Sequence, residues 1–81
     1  MIIQYHSRFK ENLRKFPQYI RKKFYKQMEF LLRDIHHPSL RAKKYDESNN
    51  VWQAIVNVSV RFYFKIKNDV YFLLKIKKHP K

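Results

Sequence analysis

The segment VRFYFKIKNDVYFLLKIKKHPK, residues 60–81, decides the fold because it has the pattern of a β-hairpin. On both sides of Asn68 and Asp69, apolar or aromatic residues alternate with residues that are mostly basic, and this period of two is typical of strands. The pattern predicts a hairpin with one apolar face and one basic face. The apolar positions are Val60, Phe62, Phe64 and Ile66 in the first strand and Val70, Phe72, Leu74 and Ile76 in the second.

The register of the predicted hairpin follows from placing the apolar residues of the two strands opposite each other. A three-residue loop, 67–69, achieves this, whereas a slip of one residue turns one strand inside out. Asn68 and Asp69 tolerate the left-handed backbone that such a loop needs. The predicted pairs are Ile66 with Val70, Phe64 with Phe72, Phe62 with Leu74, and Val60 with Ile76.

The other face of the hairpin is expected to carry charge. In the predicted register Arg61 lies opposite Lys75. An extended C-terminal segment gives His79 the same side as Lys75 and Lys77. We therefore expect an arginine, several lysines and a histidine to share one solvent-facing surface, on the side away from the core.

Composition narrows the class of protein. The 81 residues predict one domain, 1–81, with a modest core that draws on seven Phe, six Tyr and one Trp. The absence of Cys excludes disulfides, thiol catalysis and cysteine-based zinc sites, and the absence of Gly excludes a glycine-rich phosphate loop. The adjacent His36 and His37 are a weak metal signal, and we predict neither a metal nor a cofactor.

The net charge is +13, from 19 basic and 6 acidic residues. This charge raises self-repulsion and calls for an anionic partner, which is a nucleic acid, an acidic protein or an anionic membrane. No apolar run approaches the length of a membrane span, and residues 1–3 lead into polar sequence rather than a signal-peptide core. We expect a cytoplasmic protein without a membrane partner. A uniformly solvated basic surface is the alternative, and the segregation of charge on the hairpin argues against it.

The first half of the chain predicts a short strand and two helices. Residues 1–5 suit an edge strand, and Ser7 can cap a helix over 7–16. Pro17 either ends this helix or occupies the first turn of the next. Over 17–35, helical spacing of apolar residues predicts a second helix with one core-facing side: Ile20, Phe24, Met28, Leu31, Leu32 and Ile35.

The second half predicts the remaining strands. Residues 36–39 contain Pro38 and break the helix. Strands are predicted over 40–45 and 51–58, joined by the polar turn 46–50 and followed by the final hairpin. The order is β-α-α-β-β-β. We therefore predict an α+β, two-layer fold in which a helical hairpin packs on one face of a small antiparallel sheet, and the basic face stays open.

This order, together with three local motifs, resembles the RelE/ParE toxin superfamily of prokaryotic toxin–antitoxin systems. The motifs are HPSLRAKK at 37–44, VWQAIV at 51–56, and VRFYFKI followed by DVYFLLKIKKH within 60–79. With the helical hairpin they cover nearly the whole chain. The resemblance implies the toxin of a type II toxin–antitoxin system. Many relatives are ribosome-dependent messenger-RNA endonucleases, and the ParE branch instead inhibits DNA gyrase.

The resemblance also implies a site. Arg61 matches the strand arginine that contacts the scissile phosphate in nuclease members, and His79 matches a C-terminal histidine that serves as acid or base in one group of them. Further basic or histidine site residues of relatives fall in the segment that here contains His37, Arg41, Lys43 and Lys44.

The sequence departs from the family pattern at three places. Val60 stands where relatives often have a tyrosine before the strand arginine. Ile55 stands where they often have an arginine after the tryptophan motif. The sequence ends two residues past His79, before the position of the C-terminal aromatic residue of some nuclease members. These departures bear on the catalytic assignment more than on the fold.

The residue types suit RNA cleavage without a metal, since RNA supplies its own nucleophile, the 2′-OH. Histidine titrates near neutral pH and suits proton transfer, and fixed guanidinium and ammonium groups stabilise charge at the phosphate. Tyr63 and Tyr71 share a predicted face with the lysines and can stack on unpaired bases. The lysines expected to contact other phosphates are Lys65, Lys75, Lys77 and Lys78.

Each assignment has a structural alternative. Arg61 can pair with Asp69 or Glu47, and His79 can be an exposed residue at a frayed end. His37 can be a helix-end or loop residue. The remaining alternatives are core or sheet packing for Trp52 and cross-strand packing for Tyr63 and Tyr71.

The predicted function is therefore a metal-independent messenger-RNA endoribonuclease toxin. Its expected partners are messenger RNA in the ribosomal A site, ribosomal RNA, and a cognate antitoxin with an acidic or amphipathic helix. The alternatives are a ParE-like gyrase inhibitor, a catalytically degenerate homologue that only binds its antitoxin, and a generic RNA- or DNA-binding module without toxicity.

Overall fold

Five strands and two helices make up the structure, a computed structural model that describes residues 1–79. In chain order they are β1 (Ile2–Tyr5), α1 (Phe9–Arg14), α2 (Gln18–Arg33), β2 (Lys43–Asp46), β3 (Val51–Asn57), β4 (Val60–Lys67) and β5 (Val70–Lys78). The strands form one sheet in the order β1-β5-β4-β3-β2. The predicted α+β class is confirmed. The predicted order β-α-α-β-β-β counts one strand too few, since the observed order is β-α-α-β-β-β-β, although the predicted segments include all five strands.

The sheet is mixed, which the prediction of an antiparallel sheet did not include. Strands β2 to β5 pair antiparallel, and β1 adds to β5 as a parallel edge strand. A parallel pair needs a long crossover between its strands. Here the crossover is almost the whole domain, since β1 begins the described fold and β5 ends it.

Both helices pack on the same side of the sheet, where α1 lies against β5 and α2 against β3. The apolar stripe predicted for α2 is buried at Ile20, Phe24, Met28 and Leu31, whereas Leu32 is exposed. Phe24 lies at the centre of an aromatic cluster, with ring centroids 5.3 Å from Phe9 and 5.6 Å from Phe62. The helices therefore cover one face of the sheet and leave the other uncovered.

The helix ends differ slightly from the prediction. Helix α1 begins at Phe9, and its capping residue is Arg8 rather than Ser7. The reason is a turn after β1, in which the Phe9 N–H donates to the His6 carbonyl at 2.9 Å. Pro17 is the N-cap of α2 and thus immediately precedes the first turn in which it was predicted as the second of two roles. The Arg21 guanidinium closes the junction between the helices by donating to the Phe16 carbonyl at 2.6 Å.

The C-terminal hairpin forms where it was predicted, but its predicted register is wrong. The turn has two residues, Asn68 and Asp69, and both have positive φ, 51° and 62°. Two-residue hairpin turns favour this conformation because its twist matches that of the strands. The turn pairs Lys67 with Val70, so the observed core-facing pairs include Ile66 with Tyr71 and Phe64 with Leu73.

A β-bulge at Leu74 then restores the expected orientation of the strand end. The pairing shifts between Tyr63 and Phe64, so that Leu74 is an extra residue of β5. Beyond the bulge Phe62 pairs with Ile76 on the core side, and Arg61 lies opposite Lys77 instead of Lys75. The basic face survives because the bulge offsets the one-residue slip that the shorter turn introduces.

A buried glutamine joins α2 to the rest of the fold. Gln27 is fully buried, and its Nε2 donates to the Ser39 carbonyl at 2.9 Å and to the Ile55 carbonyl at 2.8 Å. Its Oε1 accepts from the Ser39 hydroxyl at 2.7 Å. The Ile55 N–H in turn donates to the Leu40 carbonyl at 2.9 Å. These bonds fix the loop between α2 and β2 against the central part of β3.

Replacing Gln27 with alanine is expected to lower the free energy of unfolding by about 2 to 4 kcal/mol, because three hydrogen bonds are lost and buried carbonyl groups lose their donor. Gln18→Ala is the matched control, since Gln18 lies on the same helix and is exposed. Urea denaturation of both variants measures the difference. Equal midpoints for the two variants would show that the buried network contributes nothing.

Candidate nucleic-acid interface

The sheet face opposite the helices carries a concentrated positive charge. We call it the open face. Cross-strand pairing places the following residues on it: Lys43, Gln53, Ile55, Arg61, Tyr63, Lys65, Lys75 and Lys77. Tyr45 joins them through its contact with Tyr63. The four lysines are exposed, and no acidic side chain is among these residues. Asp46 pairs with Val51, the residue opposite Lys65, and places one carboxylate at the edge of this face, where the ammonium groups outnumber it.

Arg61 lies near one end of the open face. It pairs with Lys77 on β5 and with Ile55 on β3, and its side chain is half-buried. Within residues 1–79, its Nε is shielded from solvent and has no hydrogen-bond partner. An unpaired buried donor costs about 1 to 3 kcal/mol, so such a group needs an explanation. An anionic ligand that accepts from the guanidinium supplies one.

Tyr63 lies under two lysines of the neighbouring strand. The Nζ of Lys75 lies 5.1 Å from the centre of the Tyr63 ring, and the Nζ of Lys77 lies 5.4 Å from it. Ammonium groups are attracted to the face of an aromatic ring, so Tyr63 holds both cations near one spot. Tyr63 is consequently only 3% exposed, and its ring is not accessible to a base while the lysines stay in place.

The predicted placement of Tyr71 on the basic face is wrong. Tyr71 belongs to the hydrophobic core, is 5% exposed and packs edge-on against Phe64 at 5.7 Å. The two-residue turn shifts β5 by one residue relative to the prediction, which reverses the side of every residue before the bulge. Burial raises the pKa of the Tyr71 phenol, and the Asp34 carboxylate raises it further. Base stacking by Tyr71 is therefore excluded.

Two of the predicted phosphate-binding lysines lie on the helix side of the sheet. Lys44 pairs with Trp52, and its Nζ lies 5.3 Å from the Trp52 ring. Lys78 pairs with the buried Val60 and lines a groove of about 480 Å³ between β5 and the junction of the helices. Each is one residue away from a lysine of the open face, and side chains alternate along a strand.

Arg41 has an unusual backbone conformation at the entrance to β2. Its φ is 48°, in the left-handed region, which costs a residue with a Cβ of the order of 1 kcal/mol or more. The side chain is exposed, and the preceding Leu40 is fully buried. Arg41 thus lies between a buried residue and the start of β2 at Lys43, and its side chain is accessible from solvent.

His37 packs against α2. Its ring stacks on Phe30 with a centroid distance of 3.9 Å and an interplanar angle of 9°. Its Nδ1 accepts a hydrogen bond from the Ser39 N–H at 3.1 Å. These contacts hold the turn that follows α2, and among the described residues no hydrogen bond or ring contact joins His37 to Arg61 or His79. The structure thus does not bring His37 together with the other two predicted catalytic residues.

His79 directly follows β5 and is exposed. Its N–H donates to the Ser59 carbonyl at 2.8 Å, so the pairing of the hairpin continues to this residue. Because Lys78 pairs with Val60 on the helix side, the alternation of the strand assigns His79 to the side of Lys77 and Arg61. This is the side that was expected from the sequence.

Sequence reasoning missed Tyr45 and Gln27. Tyr45 is 55% exposed at the end of β2, and its ring contacts Tyr63 edge-on at 4.8 Å. The alternation of residues 40–45 could have indicated its side, but the contact spans β3 and depends on the strand order. Gln27 interrupts the apolar stripe of α2, and a polar residue at a core position is a detectable signal for a buried hydrogen-bond network.

The described residues also bear on metals and membranes. In residues 1–79, no group of three or more His, Asp or Glu side chains is arranged to hold a metal ion. No helix in that part of the chain has the length and apolar character to cross a bilayer.

Comparison with known proteins identifies the fold. No protein-family model and no curated protein sequence matches this chain. Solved structures that match include the YoeB/ParE toxin from Agrobacterium tumefaciens, with a TM-score of 0.81 and 8% identity over 99% of this chain and 100% of that chain. The isolated E. coli RelE toxin matches with a TM-score of 0.78 and 14% identity, over 99% of this chain and 85% of that chain.

A third match is a chain of the heterotetrameric YoeB–YefM toxin–antitoxin complex from Staphylococcus aureus, with a TM-score of 0.78 and 13% identity over 96% of this chain and 95% of that chain. All three comparisons extend over nearly the whole domain at low identity. This chain therefore has the RelE/ParE-like toxin fold.

Proposed function

We propose that the protein is the toxin of a type II toxin–antitoxin system and that it cleaves messenger RNA on the ribosome. The fold supports the first part, since the matching structures are toxins. The open face supports the second part. The observation that carries it is Arg61, whose guanidinium lies among the cations of the open face and whose shielded Nε has no hydrogen-bond partner within residues 1–79.

The proposed chemistry uses the nucleophile of the RNA itself. The 2′-OH attacks the adjacent phosphorus and gives its proton to water. The bond from phosphorus to the 5′-oxygen breaks, a proton is delivered to this oxygen, and a 2′,3′-cyclic phosphate is left. Arg61 binds the non-bridging phosphate oxygens after a small rotation of its side chain and stabilises the charge that develops there. Lys75 and Lys77, held over Tyr63, add to this stabilisation. His79 is the proposed proton donor to the leaving oxygen.

The remaining cations of the open face are proposed to position the RNA. Lys43 lies on β2 and Lys65 on β4, the strand of Arg61, and both are exposed. Contacts between lysines and phosphates give affinity without sequence information. Arg41, exposed at the start of β2, is proposed to extend this path. The net charge of +13 favours ribosomal RNA as a second contact.

An antitoxin is the proposed protein partner. Matching structures include the intact E. coli RelBE toxin–antitoxin complex, with a TM-score of 0.73. An antitoxin that neutralises this chain has to mask the open face or compete for it, so we propose that it presents an acidic or amphipathic helix.

Induced expression tests the proposal directly. Arrest of protein synthesis within minutes, with transcripts cut at defined positions inside translated regions, is the expected result. The cut ends are mapped by primer extension, and purified ribosomes programmed with a defined message show whether cleavage needs the ribosome. Arrest without any cut transcript would refute the nuclease assignment but not the assignment as a toxin.

Inhibition of DNA gyrase is the second candidate function. One observation favours it: Ile55, the residue paired with Arg61 on β3, is apolar and buried where nuclease relatives often have an arginine. The proposed site of this chain therefore has one cation fewer than the sequence pattern of those relatives contains. Filamentation, induction of DNA damage signalling and loss of supercoiling activity by purified gyrase would support this function over RNA cleavage.

A generic nucleic-acid-binding module is distinguished by its salt dependence. Five cations of the open face are available to phosphates: Arg61, Lys43, Lys65, Lys75 and Lys77. If all five contact single-stranded RNA, the logarithm of the binding constant is expected to fall with the logarithm of salt concentration with a slope of about −3.5. Binding with that slope and no cleavage on ribosomes would favour the generic module.

A further inference from the structure

We propose that Tyr45 is the stacking platform for one unpaired base of the bound RNA, directly beside the cations of the open face. This inference rests on the proposed function, which supplies RNA as the ligand. It adds a subsite that binds a base rather than a phosphate. Its tests use binding and spectroscopy, so that they do not depend on cleavage.

Accessibility selects Tyr45 among the tyrosines near the site. Its ring is 55% exposed, whereas Tyr63 and Tyr71 are 3% and 5% exposed. A base stacks by covering the flat face of an aromatic ring, so the ring has to be open to solvent beforehand. Tyr63 is covered by two lysines and Tyr71 is in the core, which leaves Tyr45 as the member of this group that can receive a base.

The ring of Tyr45 is held in place before any ligand binds. It rests on Tyr63 in an edge-to-face contact, with centroids 4.8 Å apart and planes at 63°. The pairing of β2 with β3 is irregular between Lys44 and Asp46, so Tyr45 lies at a bulge that redirects its side chain. A preorganised ring loses little conformational freedom on binding, which favours stacking.

The turn after Tyr45 strengthens this arrangement. The Asp46 carboxylate accepts hydrogen bonds from the Asn49 side chain at 2.8 Å and from the Ser48 hydroxyl at 2.9 Å. These bonds lower the pKa of Asp46, and the bond from the Asn49 side chain has the largest effect. The β2–β3 turn is thereby closed immediately next to the residue that carries the platform.

The surrounding charge identifies a nucleic acid as the occupant. Lys43 lies two residues before Tyr45 and on the same face, and the ring under Tyr45 carries Lys75 and Lys77. A strand advances about 3.3 Å per residue, so Arg61 and Tyr63 are separated by about 6.6 Å along β4. An aromatic ring flanked by cations is the arrangement by which proteins bind single strands, with the base on the ring and its phosphates on the cations.

Fluorescence anisotropy with a short, labelled 2′-O-methyl RNA tests the platform, because this RNA lacks the nucleophile and is not cut. Tyr45→Ala is expected to weaken binding about 5- to 100-fold, which is the range for losing one stacked base. Tyr45→Phe keeps the ring and is expected to bind within about twofold of the parent. Tyr19→Ala is the matched control, since Tyr19 is an exposed tyrosine on α2, on the helix side of the sheet.

The variant Tyr45→Leu distinguishes base stacking by Tyr45 from a role in packing against Tyr63. Tyr45→Leu keeps an apolar contact with Tyr63 but has no aromatic face, so it is expected to weaken binding as much as Tyr45→Ala. Binding by Tyr45→Leu at the level of the parent would refute the proposal and assign Tyr45 a packing role. Melting curves of each variant establish that the fold is retained.

Placing a single abasic site at successive positions of the same RNA locates the stacked base. For the parent, one position is expected to lose affinity far more than the others, and Tyr45→Ala is expected to be insensitive at that position. Equal sensitivity of parent and Tyr45→Ala at every position would overturn the proposal. If the protein does not cleave RNA on ribosomes but shows this loss of affinity at one position, the proposed nuclease function is refuted and the stacking platform is supported. If the protein cleaves RNA but shows no such loss, the platform alone is refuted.

Discussion

Replacing Arg61 with alanine is expected to lower the rate of RNA cleavage by about 10²- to 10³-fold and to abolish growth arrest. This is the range for removing one preorganised donor that stabilises charge in a transition state. The variant removes the guanidinium from the position opposite Lys77, where the other cations of the open face remain. Single-turnover cleavage on programmed ribosomes measures the effect, and residual binding of RNA shows whether the loss lies in chemistry or in affinity.

The stability of the same variant distinguishes a functional from a structural arginine. Arg61 Nε has no hydrogen-bond partner within the described residues, so removing it breaks no hydrogen bond among them. We expect the free energy of unfolding of Arg61→Ala to stay within about 1 kcal/mol of the parent. A marked loss of stability with full cleavage activity would contradict the assignment.

Two further variants sharpen this test. Arg61→Lys keeps the charge but not the planar fork of donors, and is expected to recover only part of the activity. Arg33→Ala removes an exposed arginine from the last turn of α2, on the helix side of the sheet, and is expected to cleave like the parent. If Arg33→Ala is as defective as Arg61→Ala, the effect reflects total charge rather than a site.

Replacing His79 with alanine is expected to lower the cleavage rate by about 10²- to 10⁴-fold, which is the usual contribution of proton transfer by a positioned side chain. The backbone N–H that bonds to Ser59 is kept by alanine, so the end of the hairpin stays paired. Single-turnover rates on ribosomes are the measurement. Added imidazole is expected to restore part of the activity, which a purely structural histidine does not predict.

His6→Ala is the control for this experiment. His6 is exposed, and its N–H donates to the Leu73 carbonyl, a bond that alanine also keeps. It is expected to cleave at the rate of the parent. Cleavage at the parental rate by His79→Ala would show that His79 is not the proton donor in the proposed mechanism.

Most of the secondary structure was predictable because its signals are local. The α2 stripe at Ile20, Phe24, Met28 and Leu31 follows helical spacing, and all four side chains are buried. The alternation on each side of Asn68 located the two strands of the hairpin within a residue or two. Backbone geometry imposes these periods on any segment that buries one face, so the sequence alone reveals them.

The exact pairing was not predictable, and the error changed the expected site. The predicted pairing requires regular strands, whereas β5 has a bulge at Leu74, after which the side chains change sides relative to a regular strand. Tyr71 was consequently expected among the lysines and lies in the core. A bulge is chosen by packing against both neighbouring strands, and no local pattern in β5 records that choice.

The predicted sides of the sheet for the basic and catalytic residues also agree with the structure only in part. Arg61 and His79 were assigned to one side of the sheet, and the backbone pairing agrees with that assignment, because the bulge and the shorter turn offset each other. Lys44 and Lys78 were expected beside Lys43 and Lys77 but lie on the helix side. Basic residues that are adjacent in sequence were grouped together, although adjacent residues of a strand face opposite ways.

By itself, the sequence determined the α+β class, the order of the elements, the apolar sides of the helices and the large positive charge. These follow from periodicity and composition, which are properties of short segments and of the whole chain. Only the tertiary structure decided which cations meet, that Tyr45 crosses β3 to reach Tyr63, and that β1 joins the sheet parallel to β5. These outcomes depend on contacts between distant segments. Such contacts contribute to the free energy of folding only when the sheet and the helices pack together.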